Sequence, residues 1–374
     1  MKLILEVSGA GLDRGRVLGA ACKAEIALHL ERLYASWARA GVEHPENYGR
    51  EFLAQTTYAE TVRRDAPELM DEVAGLASGA AIGFESAFLL QLMDEEWAHR
   101  QHRFNTDSRE KCSSVAIRDE AAGVTYIGQN MDLGGYTDGL QTFIRHRPAN
   151  DGPTQLVFST AGVLALMGVN DAGVAVCVNA LPQLPSRGAG MPVAFVIRLL
   201  LGADSAAEAA EILKSIMHAT NQHYLIADAS SMFSFEVSAR EVVPSVPSVP
   251  DRVFHTNHPL TGIERAHARD ETDSNVRLGC LTARLARGAP SLRVIQDALS
   301  SHDDPSHPVC RSQRDCLDSP TGITTGSLIS VLEAEGGVQG VVSFGPPCNR
   351  GYQPWSMVSR GAGPSGQANG SPAE

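Results

Sequence analysis

Long apolar runs are missing from this 374-residue chain. The most hydrophobic window, residues 191–202, is interrupted by Arg198 and falls well short of the ~20 residues that span a bilayer. The apolar run at Leu3, Ile4 and Leu5 is likewise too short for the core of a secretory signal, which takes roughly 7–15 residues. No membrane partner and no export are expected. Basic charge is in deficit: 31 Lys and Arg against 43 Asp and Glu leave a formal charge of −12, which opposes binding along a phosphate backbone. Nucleic acid is therefore not an expected partner. Cysteine is sparse and scattered, with Cys22, Cys112, Cys177, Cys280, Cys310, Cys316 and Cys348 forming no CxxC pair. Neither a disulfide framework nor a zinc ribbon is suggested. Reduced thiols in the cytoplasm are the expectation, one of them available as a nucleophile.

What is present is ordinary globular material, 43% apolar and 20% charged, enough for a large core in two domains or one layered structure. The first hundred residues read as helices. Ile26, Leu30, Leu33 and Trp37 recur at helical spacing, and Leu69, Val73 and Leu76 repeat the rhythm after Asp65, an expected N-cap with Glu68 three residues on. A third helix is expected over 85–97. Near Cys112 the pattern changes to strands at 114–117 and 124–128, joined by the turn residues 119–123. More strands are expected at 141–147, 155–159, 163–169, 173–179, 223–227, 232–237, 327–332 and 338–344. Helices are expected at 192–201, at 205–218 capped by Asp204 or Ser205, at 275–287 and at 291–300. The Pro/Ser repeat at 244–250 reads as a surface loop, and the Gly/Ser/Pro/Ala-rich stretch 361–374 as disordered. Strands, then helices, then strands fit an α+β arrangement.

Chemistry concentrates at the helix-to-strand junction. Cys112 opens the first strand, and the segment Gly128-Gln129-Asn130-Met131-Asp132 brings a carboxylate back beside it after one hairpin. Cys112-Ser113-Ser114 followed by this Gly-Gln-Asn-x-Asp segment resembles the N-terminal-nucleophile hydrolases, and within them the peptidase family of acyl-coenzyme A:isopenicillin N (6-aminopenicillanate) acyltransferase. Further matching blocks follow in order: 168–174 leading to Asn179, then His255-Thr256-Asn257-His258, then Val309-Cys310-Arg311 ahead of Thr325. The glycines between Gly9 and Gly19 and the 75–79 segment also look like the family's. Lys111 departs from it, standing where a small residue is usual. The resemblance covers most of residues 1–345 and implies a four-layer αββα sandwich. It divides the chain into a helical leader, 1–111, retained after self-cleavage, a catalytic core, 112–360, and the tail.

The implied chemistry needs no cofactor and no metal. A thiol of pKa ~8.5 is little ionised at neutral pH, whereas an α-amine of pKa ~7.7–8 exchanges protons readily there. Cutting between Lys111 and Cys112 puts that amine on the residue carrying the nucleophile. By resemblance, Asp132 holds the amine, Asn257 donates to the oxyanion, and Arg311 fixes Asp132 or the surroundings of the nucleophile. Asn130 and Asn179 are candidates for substrate or oxyanion contacts, with turn or strand capping an equal reading. His255 and His258 form an HxxH pair without a third ligand at a suitable spacing, and are read as structure around Asn257. Cys310 and Cys316 are read as buried thiols.

The expected function is a self-processing amidohydrolase that takes the acyl group of a small amide onto Cys112. An acyltransferase delivering it from an amide or coenzyme A thioester to an amine shares the same acyl-enzyme. A thiol hydrolase with a histidine base and an uncut chain, and a binding protein that keeps only the scaffold, are the other readings. The expected partners are the small-molecule substrate and the chain's own cleaved leader; a homo-oligomer is compatible with the sequence.

Overall fold

The computed structural model describes residues 4–104, 112–247, 249–312, 322–334 and 337–360. Lys111, Cys316 and the tail 361–374 lie outside the described residues. Strand β1 (Leu5–Gly9) is followed by seven helices: α1 (Gly11–Ala21), α2 (Lys23–Arg39), α3 (Pro45–Ala54), α4 (Tyr58–Asp65), α5 (Pro67–Ala80), α6 (Phe84–Leu90) and α7 (Met93–Phe104). Then come β2 (Ser113–Asp119), β3 (Val124–Leu133), β4 (Gln141–Pro148), β5 (Gln155–Thr160), β6 (Met167–Asn170) and β7 (Ala175–Ala180). Helices α8 (Val193–Leu200) and α9 (Ala206–Ser215) precede β8 (Gln222–Ala227), β9 (Met232–Val237), β10 (Val242–Pro244) and β11 (Arg252–His255). The remainder is α10 (Thr272–Leu285), α11 (Leu292–Leu299), β12 (Ile323–Glu333), β13 (Val338–Ser343), α12 (Pro347–Arg350) and β14 (Gln353–Met357).

The strands form two sheets, one ordered β1-β4-β5-β6-β7-β8-β9-β10 and the other β11-β2-β3-β12-β13-β14. They face each other where β2 and β3 meet β7, and helices cover both outer faces: α10 and α11 lie on β11, β3 and β12, α9 on β8 and β9. This is the expected four-layer αββα arrangement of the α+β class. Strands β2, β3 and β12 are buried almost throughout, because one face meets the opposite sheet and the other meets helices.

Several local expectations give way to tertiary context. The first hundred residues are not all helical: β1 pairs in parallel with β4, a pairing that the intervening helical segment permits and a hairpin would not. Asp65 ends α4 instead of capping α5, which starts at Pro67 behind Ala66, since proline's fixed φ and missing N–H suit the first helical turn. The 85–97 helix is two helices, broken at Gln91, whose side chain leaves for Gly162 O (2.6 Å) and Leu164 N (2.8 Å). Only Met167–Asn170 of the 163–169 stretch is strand, and Pro244 ends the edge strand β10, where no ladder donor is required.

The helical segment that precedes β2 is fastened in two ways. Helices α1 and α5 cross so closely that a Cβ on Gly15 would sit 1.9 Å from Glu72 O, and one on Gly75 would sit 2.1 Å from Leu12 O. The glycines at four-residue spacing are the crossing surface. Beside it Glu72, fully buried, accepts from Arg14 Nη2 (2.7 Å) and from Arg198 Nη1 of α8 (2.8 Å), with His146 Nδ1 of β4 at 3.1 Å. Burial alone would raise the Glu72 carboxyl; the Arg198 charge and His146 outweigh it and hold it well below its usual value.

Candidate active site

The turn of the β2–β3 hairpin is set by Gly123 at φ +65°, and the register runs from Asp119↔Val124 to Ser113↔Asn130. The residue preceding β2 therefore meets the end of β3. Cys112 is buried, its Sγ 3.6 Å from Met131 Sδ and 3.9 Å from Asp132 O.

Asp132 has no solvent exposure, and neither carboxylate oxygen completes a hydrogen bond among the described residues. The nearest cation among the described residues is Arg311, whose Nε lies 3.7 Å from Oδ2, within ion-pair range but outside hydrogen-bond range. Burial pushes the carboxyl up to about 6, against the pull of Arg311, the Thr324 hydroxyl and Arg277, with Asp273 adding to the rise. Thr324 favours the anion from outside hydrogen-bond geometry, its oxygen accepting from Arg311 N (2.9 Å). Asp132 is thus a buried acid with an ion-pair partner but no hydrogen bond to its carboxylate among the described residues, on a residue whose backbone carbonyl lies 3.9 Å from the thiol.

Asn257 follows β11 by two residues and is 6% exposed. The first turn of α10 builds its loop: Ser274 Oγ accepts from Asn257 N (2.7 Å), and Ser274 O accepts from Thr256 Oγ1 (2.9 Å). The Asn257 side-chain Nδ2 donates to Ala180 O (3.0 Å), and its Oδ1 accepts from Arg277 Nη2 (2.9 Å). Arg277 is fully buried and also donates from Nη1 to Cys112 O (2.6 Å) and Ser113 Oγ (2.9 Å), and from Nε to Asp273 Oδ2 (2.8 Å). The other oxygen of Asp273 accepts from Arg311 Nη2 and lies 3.1 Å from His307 Nδ1. The structure thus connects Asn257 to Cys112 through Arg277, and Asn257 to Arg311 and Asp132 through Arg277 and Asp273. Sequence reading missed both Arg277 and Asp273. Their only signal was an Asp and an Arg four residues apart in the helix after the 255–258 block, a spacing that on most helices is a solvated surface pair.

The two weaker candidates both make hydrogen bonds to the scaffold, and each keeps one buried side-chain atom, Asn130 Oδ1 and Asn179 Nδ2, without a partner among the described residues. Asn130 spends both Nδ2 hydrogens on Leu299 O (2.7 Å) and Val309 O (3.0 Å), holding the loop that carries Arg311. Asn179 Oδ1 accepts from Ser114 Oγ (2.6 Å) across the sandwich and lies 3.0 Å from His223 Nδ1. Gln129 does similar work, satisfying the backbone N–H and C=O of Val178 in the opposite sheet. His255 stacks on His223 with centroids 3.7 Å apart and lies 3.0 Å from Glu236. His258 Nδ1 lies 2.7 Å from Ser274 Oγ, and burial lowers its pKa to about 4, helped by His255, Arg277 and Arg265. Among the described residues, one group has donor atoms close enough to hold a metal ion, and it is not the HxxH pair: His302, Cys310 and Cys348. The partner of Cys310 is Cys348, at 3.1 Å between sulfurs.

No single described helix is long and apolar enough to cross a membrane. Residues 119–325 match the family model described as acyl-coenzyme A:6-aminopenicillanic acid acyl-transferase, a stretch holding Asp132, Asn257, Asp273, Arg277 and Arg311 and starting after Cys112. The 40 kDa form of acyl-coenzyme A:6-aminopenicillanic-acid-acyltransferase from Emericella nidulans is 28% identical over 196 residues, 52% of each chain. The chain thus aligns with about half the length of that curated relative. Among solved structures, a variant of the conjugated bile acid hydrolase of Clostridium perfringens is 14% identical with a TM-score of 0.44, covering 66% of this chain and 92% of that one. The Caenorhabditis elegans ortholog of N-acylethanolamine-hydrolyzing acid amidase is 15% identical with a TM-score of 0.41, covering 58% and 92%.

Proposed function

The chain belongs to the acyl-coenzyme A:6-aminopenicillanic acid acyl-transferase family, and from that premise we propose that it is a self-processing N-terminal-nucleophile enzyme acting on a small N-acyl amide through an acyl-enzyme on Cys112. The observation that carries the reading is Asp132, a buried carboxyl with no hydrogen-bonded partner among the described residues, whose backbone carbonyl lies 3.9 Å from Cys112 Sγ. An α-ammonium on Cys112 is the cation that would complete it.

Processing begins with attack of the Cys112 thiol on the Lys111 carbonyl. The peptide nitrogen leaves with the thiol proton, and water hydrolyses the resulting thioester to a Lys111 carboxylate and a free Cys112 amine. In turnover the amine takes the thiol proton and the sulfur attacks the substrate carbonyl. Asn257 Nδ2 donates to the oxyanion, an interaction of the kind worth roughly 2.7–4 kcal/mol. The α-ammonium returns its proton to the departing amine, leaving a thioester that water then cleaves. Asp132 holds the charge of the amine through both steps, and Arg311 holds Asp132 in place. The family description favours a second reading, in which an amine receives the acyl group and the donor is a coenzyme A thioester.

Intact-mass measurement and N-terminal sequencing of the purified protein test the proposal. Two fragments are expected, the larger starting at Cys112, with Cys112→Ala remaining a single inactive chain. A single wild-type chain that turns over amides as fast with Cys112→Ala as without it overturns the reading. The ratio of hydrolysis to transfer when an amine is added during turnover decides between water and amine as acceptor.

A further inference from the structure

Arg277 is a fully buried guanidinium that touches both the backbone of Cys112 and the side chain of Asn257. An asparagine amide can sit in two orientations that exchange Oδ1 and Nδ2 with little change in shape. Only one of them turns a donor toward a developing oxyanion, and the other presents an oxygen to it. A guanidinium has donors and no acceptor, so Arg277 Nη2 binds the oxygen end and leaves Nδ2 on the opposite side. There one Nδ2 hydrogen meets Ala180 O at 3.0 Å, leaving a second for the acyl oxygen. The same guanidinium holds the Cys112 carbonyl, which limits rotation of the residue bearing both sulfur and amine.

We propose that Arg277 is a positioning residue for acyl transfer, fixing which end of the Asn257 amide faces the acyl oxygen and anchoring the carbonyl of Cys112, with Asp273 tying it to Arg311. This rests on the Cys112 acyl-enzyme reading above. Asp273 is the joint: one oxygen takes Arg277 Nε, the other Arg311 Nη2. The oxyanion donor and Arg311, which lies at ion-pair distance from the Asp132 carboxylate, thereby share one chain of charge-assisted hydrogen bonds. Arg277 touches no reacting atom and its larger effect runs through Asn257, so most of its contribution should vanish when Asn257 can no longer donate.

The test is a double-mutant cycle of Arg277→Lys and Asn257→Ala. It is read with p-nitrophenyl acetate, an activated donor that acylates a competent thiol, and turnover is counted per processed chain. Arg277→Lys alone should lower kcat by about 100-fold, the scale of losing an oxyanion donor, and leave KM within about threefold. In the Asn257→Ala background it should cost less than about threefold more. Lysine keeps the charge but has one nitrogen in place of three to reach Asn257, Cys112 and Asp273, and Arg277→Gln should lower kcat at least as far, because its neutral amide can turn either an oxygen or a nitrogen toward Asn257. Should Arg277→Lys not fold, Asp273→Asn reads the same coupling. A kcat unchanged by Arg277→Lys, or a full loss repeated in the Asn257→Ala background, overturns the inference. Cys112→Ala separates the two levels: if it stays active the acyl-enzyme reading has failed, and if it is inactive while Arg277→Lys is normal only the role of Arg277 has failed.

Discussion

Replacing Asp132 by Asn should have opposite effects on stability before and after processing. In the uncut chain, burial raises the carboxyl from 3.8 to about 6. At 1.36 kcal/mol per unit this is a penalty of about 3 kcal/mol at neutral pH. The native state binds more protons than the unfolded chain between those values, so the penalty is absent below about pH 4 and complete above about pH 6. An asparagine has no charge to desolvate. Subtracting the cost of an amide with incomplete hydrogen bonding, the variant should gain on the order of 1–2 kcal/mol at pH 7 and nothing at pH 4. Urea melts of Cys112→Ala with and without Asp132→Asn, at both pH values, measure this in a chain that stays whole. On the proposed mechanism the α-ammonium of processed protein pairs with Asp132, and the same substitution should then cost stability and reduce acyl transfer at least 100-fold. A pH-independent loss in both forms would refute the reasoning, because it would mean that Asp132 is already satisfied without the amine.

The remaining predictions concern the leader and the histidines. Glu72→Gln leaves Arg14 and Arg198 facing a neutral amide in a buried site and should cost about 3–5 kcal/mol; in processed protein, size-exclusion chromatography should then separate leader from core. Gly15→Ala places a methyl 1.9 Å from Glu72 O and must push α1 off α5, lowering stability by about 3 kcal/mol or more in a thermal melt. His258→Gln should keep turnover within about tenfold of wild type and leave its pH profile in place; loss of activity in an uncut chain would instead favour a histidine base.

How far the site was legible depended on whether a residue's task is local. Cys112 and Asp132 were readable because a hairpin is a short-range object: turn residues at 119–123 fix the register, and register puts the end of β3 beside the start of β2. Asn257 and Arg311 were readable from the order of their blocks and from resemblance, without any indication of what links them. Asp273 and Arg277 were not readable. Whether an Asp and an Arg four residues apart lie in water or in the core depends on what covers the helix, and here a second sheet and the 255–258 loop cover it. Asn130 and Asn179, polar residues within motif blocks, invited a chemical role. Three-dimensional placement gave their hydrogen bonds to loop carbonyls and to the opposite sheet.

The sequence by itself determined the helix-to-strand switch at Cys112, the hairpin that returns Asp132, and the α+β class, since these follow from periodicity and turn chemistry over spans of tens of residues. Only the tertiary structure decided that β1 joins a sheet in parallel, that glycines at 11, 15, 19, 75 and 79 form a helix crossing, and that the Asp132 carboxylate is buried without a hydrogen bond among the described residues. Each of these depends on which surfaces meet, and burial is a property of the neighbour as much as of the residue.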